Sequence, residues 1–187
     1  GLGAGTIAVY GRPGDRYRFY EINPAVIDFA KRHFTFLDDC PADVEVAAGD
    51  ARLVLESEAP QQFDVLVLDA FSGDAVPAHL LTREALAIYQ RHLAADGVIA
   101  VHVSNDYLDL RPVLAGLASE GEFEYRLINT PGDKESWKFT SQWVLLTKNR
   151  SLINSPEIAE FDEDMNQRKI EPILWTDEFN NLLQILK

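Results

Sequence analysis

The chain has 187 residues, of which 47% are hydrophobic and 10% aromatic, so it can bury the core of one globular domain. Its 30 acidic and 17 basic residues leave a net charge of −13, which argues against a nucleic-acid-binding surface because phosphate binding depends on Lys and Arg. The single cysteine excludes an internal disulfide and a metal site built from several cysteines.

The first part of the chain alternates short strands and helices. A tight glycine-rich turn leads into a short helical segment over residues 6–10. Strands are then predicted over residues 16–22, 44–48 and 63–68, and helices over 24–34 and 51–58. Residues 63–68 form an apolar run that is too short for a helix, which predicts a parallel strand buried on both faces.

The alternation continues to about residue 150. Amphipathic helices are predicted over 82–93 and 110–119, a buried strand over 98–103, and a closing antiparallel pair of strands over 123–128 and 143–147. The pattern predicts an α/β fold whose sheet is mostly parallel, with helices on both faces and an antiparallel C-terminal hairpin.

The character of the chain changes after Arg150. Residues 151–187 are acidic and carry no strand signal. Within 175–186, apolar residues recur at helical spacing, namely Phe179, Leu182, Leu183 and Leu186. We predict a domain over residues 1–150 and an acidic extension over 151–187 that packs on it through this stripe. A helix that binds a partner is the alternative.

The chain opens on a glycine-rich turn. Gly1, Gly3 and Gly5 allow the backbone to approach a ligand closely. A dinucleotide fingerprint would have glycine or alanine where this chain has Thr6, so the turn favours a nucleoside over a nicotinamide cofactor. Such a turn normally follows a strand. We therefore expect either a central strand upstream in the parent chain, which leaves the first strand truncated here, or a partly disordered glycine turn.

Two acids follow the next strands. Glu21, at the end of its strand, can accept hydrogen bonds from both hydroxyls of a ribose. Asp50, followed by Ala51, stands where it can accept from the amine of adenine. The alternatives are a surface acid at a strand end and an N-cap for the following helix. Together with the glycines, the two acids predict an adenosine site.

A third acid, Asp69, ends the predicted strand 63–68. The carboxyl ends of parallel strands are where open α/β sheets bind ligands. Asp69 is therefore predicted to be catalytic, with a simple turn cap as the alternative.

The ordered motifs GLGAGT, YEINPAVIDFAKRHF, VEVAAGDAR and FDVLVLDAFSGDAVPAHLLTREALAIYQRHLAADGVIAVHVSN resemble the spermidine synthase family of aminopropyltransferases. That resemblance implies a Rossmann-like, three-layer fold of the class I S-adenosylmethionine-dependent methyltransferase type. It also implies that Glu21 binds the ribose and Asp50 the adenine of the donor. Asp69 would match the first acid of the family's D-S-S-D-P gate, which orients or deprotonates the attacking amine.

The chain departs from the family at that gate. The acids Asp69 and Asp74 are farther apart than in D-S-S-D-P, and Asp74 is the candidate for the second acid, which holds the polyamine. After the next strand the chain has His102, which lies in an apolar run. We predict a core histidine there, with a general base as the alternative. The sequence looks most like spermidine-synthase-like domains that follow membrane segments in some bacteria.

These observations predict transfer of an aminopropyl group from decarboxylated S-adenosylmethionine to a small-molecule amine. The alternatives are a methyltransferase that uses S-adenosylmethionine and a domain that binds a nucleoside or partner without catalysis. We expect no metal, no nucleic-acid partner and no membrane contact within this chain, while a homodimer stays open. A cytoplasmic location is expected, with a parent chain that could be membrane-attached upstream.

Overall fold

The computed structural model of the chain describes residues 1–70, 77–133, 135, 138–161 and 170–187. The chain divides into two compact units, Gly1–Glu58 and Ala59–Lys187. The strands form a two-stranded sheet in the first unit and a four-stranded sheet in the second. The sequence-based boundary near residue 150 stays a prediction, as does the strand expected upstream of Gly1.

The unit Gly1–Glu58 is organised around two parallel strands that pair from Arg16↔Asp43 to Glu21↔Ala48. Its elements are a 3-10 helix (Thr6–Tyr10), β1 (Arg16–Glu21), α1 (Pro24–His33), β2 (Asp43–Ala48) and α2 (Ala51–Ser57). A small apolar core lies beneath them and contains Leu2, Ala8, Phe19 and Ala30. Since Leu2 belongs to the glycine-rich turn, burial of this side chain anchors the turn to the unit.

The unit Ala59–Lys187 contains the larger sheet. Its main elements are β3 (Phe63–Leu68), α3 (Arg83–His92), β4 (Leu93–His102), α4 (Arg111–Gly121), β5 (Glu124–Thr130) and β6 (Ser141–Thr147), followed by the short helices α5 (Arg150–Ile153) and α6 (Pro156–Ala159). The strand order is β3-β4-β6-β5, in which β3 and β4 are parallel and β6 is antiparallel to both β4 and β5. The predicted C-terminal hairpin is therefore present. The start of β4 lies before the predicted position, directly after α3.

The prediction that the strand 63–68 is buried on both faces is wrong. Leu66 is buried, but Val65 is 55% exposed. Among the described strands, β3 lies at the edge of its sheet and has a neighbour on one side only. An edge strand has less of its side-chain surface covered than a central strand does. This explains why Val65 is exposed although the apolar sequence of the strand predicts burial.

The segment 170–187 packs against the helices of the second unit through Trp175, which is completely buried, and Ile185. The backbone N–H of Ile173 donates to Pro112 O at 2.9 Å, and the N–H of Arg83 donates to Trp175 O at 2.9 Å. Pro112 lies in α4, and Arg83 is the first residue of α3. These contacts connect the C-terminal segment to both helices.

The helical stripe predicted for this segment is wrong. Only Leu182–Ile185 is helical, as a 3-10 turn. The stripe residues Phe179 and Leu183 are 59% and 75% exposed. The backbone of the segment bonds to α3 and α4, and its internal bonds form only short turns, so a period of 3.6 residues does not select the side chains that become buried.

Within the described ranges, no helix combines the length and the apolar character needed to cross a bilayer.

Candidate functional site

The glycine-rich turn is closed by a hydrogen bond from Gly5 N to Leu2 O at 2.9 Å. Gly3 and Gly5 have φ angles of +54° and +83°, in the left-handed region that favours glycine. A Cβ on Gly5 would lie 2.7 Å from Leu37 Cδ2, whereas a Cβ on Gly3 would meet nothing within 4 Å. The backbone geometry at Gly5 therefore favours glycine, and a Cβ there would also displace the end of the Leu37 side chain. The backbone of Gly3 faces open space, which a ligand could approach closely.

Glu21 holds this turn in place. Its carboxylate accepts from Leu2 N through Oε2 and from Asn23 N through Oε1, each at 2.9 Å. The residue is only 8% exposed, so both bonds are partly shielded from water. Sequence reasoning missed this contact with the turn. A carboxylate oxygen can accept more than one hydrogen bond, so the predicted ribose contact would be added to these bonds.

The turn and α1 line an open cavity of about 420 Å³. Its walls are apolar and consist of Gly3, Ala4, Ala25, Val26, Phe29 and Phe34. The volume lies within the range of small-molecule pockets. The lining suits a flat apolar group better than sugar hydroxyls.

Asp50 caps α2. Its Oδ1 accepts from Arg52 N at 2.9 Å and from Leu53 N at 3.1 Å, which satisfies two of the unpaired N–H groups at a helix start. Ala51 is the first helical residue. The capping alternative that the sequence left open is therefore realised. The contacts of Asp50 and Ala51 with adenine stay a prediction.

In the second unit, Asp69 lies beside His102. The parallel register pairs Leu68 with Val101, so the residues that follow these two emerge at the same edge of the sheet. Asp69 Oδ1 and His102 Nδ1 are 3.0 Å apart. The Asp69 side chain is 51% exposed and that of His102 25% exposed, so the pair can be reached from solvent.

His102 is also bonded on its other side. His102 Nε2 lies 2.9 Å from Ser104 Oγ, and Ser104 Oγ accepts from Gln142 N at 2.8 Å. The ring of Trp143 packs against the imidazole with centroids 4.9 Å apart. The prediction of a core histidine at position 102 is wrong: the fully buried histidine is His92. His102 lies at the carboxyl end of β4, where the apolar pattern of the strand no longer implies burial.

The hydrogen bond with His102 lowers the pKa of Asp69, and the charge of the imidazole acts in the same direction, while partial burial opposes both. Asp69 is therefore a carboxylate at neutral pH. A carboxylate with a lowered pKa attracts and orients a cation well, but it is a poor acceptor for a proton from an amine.

Asp74 lies outside the described residues.

The hydrogen bond between Asp69 and His102 is the feature of this site that sequence reasoning missed. Two polar residues that follow neighbouring parallel strands are the signal that could have revealed it, because strands in parallel register bring those residues together.

No family model matches the chain. A polyamine aminopropyltransferase of Vibrio vulnificus is 33% identical to it over 109 residues, which are 54% of this chain and 35% of that protein. A probable polyamine aminopropyl transferase of Bifidobacterium longum is 28% identical over 107 residues, covering 56% and 23% of the two chains. An N-terminal histidine N-methyltransferase of Emericella nidulans is 31% identical over 86 residues, covering 46% and 15%. The matches thus span about a third or less of these relatives.

Two solved structures show the same fold. A probable spermidine synthase from Corynebacterium glutamicum aligns with a TM-score of 0.56 at 17% identity, covering 86% of this chain and 66% of that one. A precorrin-6y C5,15-methyltransferase from Geobacter metallireducens aligns with a TM-score of 0.56 at 18% identity, covering 79% and 77%. These comparisons confirm the resemblance to the spermidine synthase-like aminopropyltransferases and the Rossmann-like methyltransferase fold predicted from the sequence.

Proposed function

We propose that this chain is a spermidine synthase-like transferase that moves an aminopropyl group from decarboxylated S-adenosylmethionine to an amine. The observation that carries the proposal is the carboxylate of Asp69, which His102 holds at the carboxyl edge of β3 and β4. The similarity to polyamine aminopropyltransferases supports the same reaction class.

In this reaction the neutral amine nitrogen attacks the carbon bonded to the sulfonium. A C–N bond forms, the C–S bond breaks, and its electron pair remains on sulfur, which leaves as a neutral thioether. The nitrogen becomes positively charged as it attacks, and the product leaves as an ammonium ion. A fixed carboxylate stabilises that developing charge and aligns the nitrogen for displacement.

The lowered pKa of Asp69 supports one of the two roles that the sequence left open for it. An amine cation is far less acidic than a carboxylic acid, so direct proton transfer to Asp69 is unfavourable. We assign Asp69 to orientation and charge stabilisation. Asp74 is proposed to hold a second, cationic amine group of the acceptor.

The donor is proposed to bind in the first unit. Glu21 would accept from the ribose, Asp50 and Ala51 would contact the adenine, and the turn of Gly1, Gly3 and Gly5 would bring its backbone close to the ligand. The open face of Gly3 and the apolar cavity beside it support this placement. Polyamine biosynthesis is the corresponding cellular role.

Methyl transfer from intact S-adenosylmethionine is the second candidate. The similarity to an N-methyltransferase and the fold shared with methyltransferases favour it. The nucleoside contacts would be unchanged, and Asp69 would orient the methyl acceptor.

The deciding experiment incubates the protein with either donor and a panel of diamines and polyamines, and identifies the products by mass spectrometry. Methylthioadenosine with an aminopropylated amine supports the proposal. S-adenosylhomocysteine with a methylated amine supports the second candidate. If neither donor binds by calorimetry and no product forms, both are wrong and a non-catalytic domain is favoured. Asp69→Asn should abolish turnover, whereas Asp64→Asn is the matched control because Asp64 lies exposed on the same strand.

A further inference from the structure

We infer that His102 and Ser104 are positioning residues for Asp69: Ser104 fixes the imidazole tautomer that donates Nδ1–H to Asp69 Oδ1, so that Oδ2 is directed to a cationic acceptor. The catalytic part of this inference rests on the proposed transferase function. The hydrogen-bond arrangement itself does not, and it can be measured separately.

Donor and acceptor assignments along the chain of bonds have one consistent solution for a neutral imidazole. The N–H of Gln142 can only donate, so Ser104 Oγ accepts from it at 2.8 Å. The hydroxyl hydrogen of Ser104 is then available for His102 Nε2 at 2.9 Å. The Asp69 carboxylate can only accept, so Nδ1 carries the ring proton towards Asp69 Oδ1 at 3.0 Å, and Nε2 of the neutral ring accepts from the hydroxyl.

This solution begins at a fixed point of the fold. Gln142 belongs to β6, which pairs antiparallel with β4, and the N–H of Val103 donates to Gln142 O at 2.9 Å. The backbone at Gln142 thus holds both Val103 and the hydroxyl of Ser104. This main-chain donor holds the hydroxyl of Ser104 in position, while the Asp69 carboxylate, which can only accept, sets the direction of the bonds through the imidazole.

Asp, His and Ser occur here in the order of a hydrolytic triad, but the serine differs from a nucleophile. Ser104 Oγ already accepts from the Gln142 amide, which withdraws electron density from the oxygen that would attack. The described contacts therefore favour a hydroxyl that orients the imidazole.

Side chains from both neighbouring strands contact the imidazole of His102. Asp69 faces it from β3, and the Trp143 ring packs on it from β6. Among the described residues whose contacts with the imidazole are given, Asp69 is the charged one.

Two substitutions of His102 separate its two nitrogens. The amide N–H of His102→Asn reaches the position of Nδ1 and can still donate to Asp69. The amide of His102→Gln reaches the position of Nε2 and leaves Asp69 without this donor. We expect His102→Gln to lower kcat/KM roughly tenfold at mildly acidic pH. This factor is the lower end of the range for losing a hydrogen bond to a charged group, because the Asp69 side chain is half exposed to water. His102→Asn should retain most of the activity.

Nuclear magnetic resonance tests the arrangement without turnover. Long-range ¹H–¹⁵N spectra of histidine-labelled protein, with His102 assigned from His102→Gln, should show a proton on Nδ1 in the wild type and a weaker preference for that tautomer in Ser104→Ala. The ¹³C carboxyl signal of Asp69, assigned from Asp69→Asn, should titrate at higher pH in His102→Gln than in the wild type or His102→Asn. His33→Gln is the control, since His33 is exposed and lies in the first unit.

A proton on Nε2 in the wild type, or an unchanged Asp69 titration in His102→Gln, would overturn the inference. Equal loss of activity in His102→Asn and His102→Gln would contradict the assignment of the two nitrogens. If the wild type transfers no group from either donor but the resonance results hold, the proposed function fails and the positioning of Asp69 stands.

Discussion

In Glu21→Ala, the backbone N–H groups of Leu2 and Asn23 lose the carboxylate oxygens that they bind at 2.9 Å. Leu2 is 6% exposed, so water cannot readily replace its partner, whereas Asn23 is exposed and water can. One shielded hydrogen bond to a charged group contributes about 1.5–3 kcal/mol. We therefore expect the first unit to lose about 2–4 kcal/mol of stability in the absence of any ligand.

Glu21→Gln should have a smaller effect. Its amide oxygen can still accept from Leu2 N, but its NH₂ group would then face the N–H of Asn23. Loss of the charge and of one acceptor should lower the free energy of unfolding by about 1–2 kcal/mol, since the exposed N–H of Asn23 can donate to water instead. Asp38→Asn is the matched control, because it removes a negative charge from an exposed position in the same unit.

The assay has to report on the first unit. All three tryptophans lie beyond residue 58, so tryptophan fluorescence would follow the second unit. Hydrogen exchange of peptides that cover β1 and α1, measured by mass spectrometry across a urea series, reports the local free energy of opening. We expect faster exchange in the order Glu21→Ala, then Glu21→Gln, then the control and the wild type.

Unchanged exchange in Glu21→Ala, accompanied by loss of nucleoside binding, would refute this reasoning. Glu21 would then act on the ligand alone, as the sequence by itself suggested, and its bonds to the backbone would contribute nothing measurable. Faster exchange with retained binding would refute the ribose assignment instead.

Four further outcomes are expected. Asp69→Asn should reduce transfer at least about a hundredfold while the thermal midpoint changes little, as measured by product formation and calorimetry. The pKa of Asp69 is lowered in the folded protein, so its stabilising contribution is complete above the ordinary pKa of aspartate and is lost as the pH falls through the lowered value. Asp69→Asn lacks this contribution, so its free energy of unfolding should fall less than that of the wild type as the pH is lowered. Urea unfolding at several pH values measures this difference. Gly116→Ala places a Cβ 2.2 Å from Ile173 O and should destabilise the second unit by about 1–3 kcal/mol. Trp175→Ala should lower the free energy of unfolding by about 3–5 kcal/mol. Trp175→Phe should lower it clearly less, because no acceptor among the described residues reaches the buried indole N–H, so phenylalanine loses no hydrogen bond there. Equal effects of the two Trp175 substitutions, or none from Gly116→Ala, would contradict the packing of the C-terminal segment.

Local signals in the sequence were sufficient for several helices and strands of the first 150 residues. Asn23 and Pro24 predicted the start of α1, and the Asn23 side chain caps that helix by accepting from Ala25 N. Thr82 likewise caps α3. The apolar run 63–68 predicted β3 with its observed bounds. These features depend on neighbours within a few residues, which the sequence displays directly.

The sequence also placed Asp69 at a strand end, but its chemistry is determined by tertiary structure. His102 lies 33 residues away and reaches Asp69 only because β3 and β4 pair in parallel register, and Ser104 reaches its amide donor only because β6 pairs with β4. The same holds for Glu21, whose partner Leu2 is 19 residues away. A pattern along the chain shows which residues are polar and where an element ends, but a hydrogen bond depends on distances of about 3 Å. For residues so far apart in sequence, only strand register and packing determine those distances.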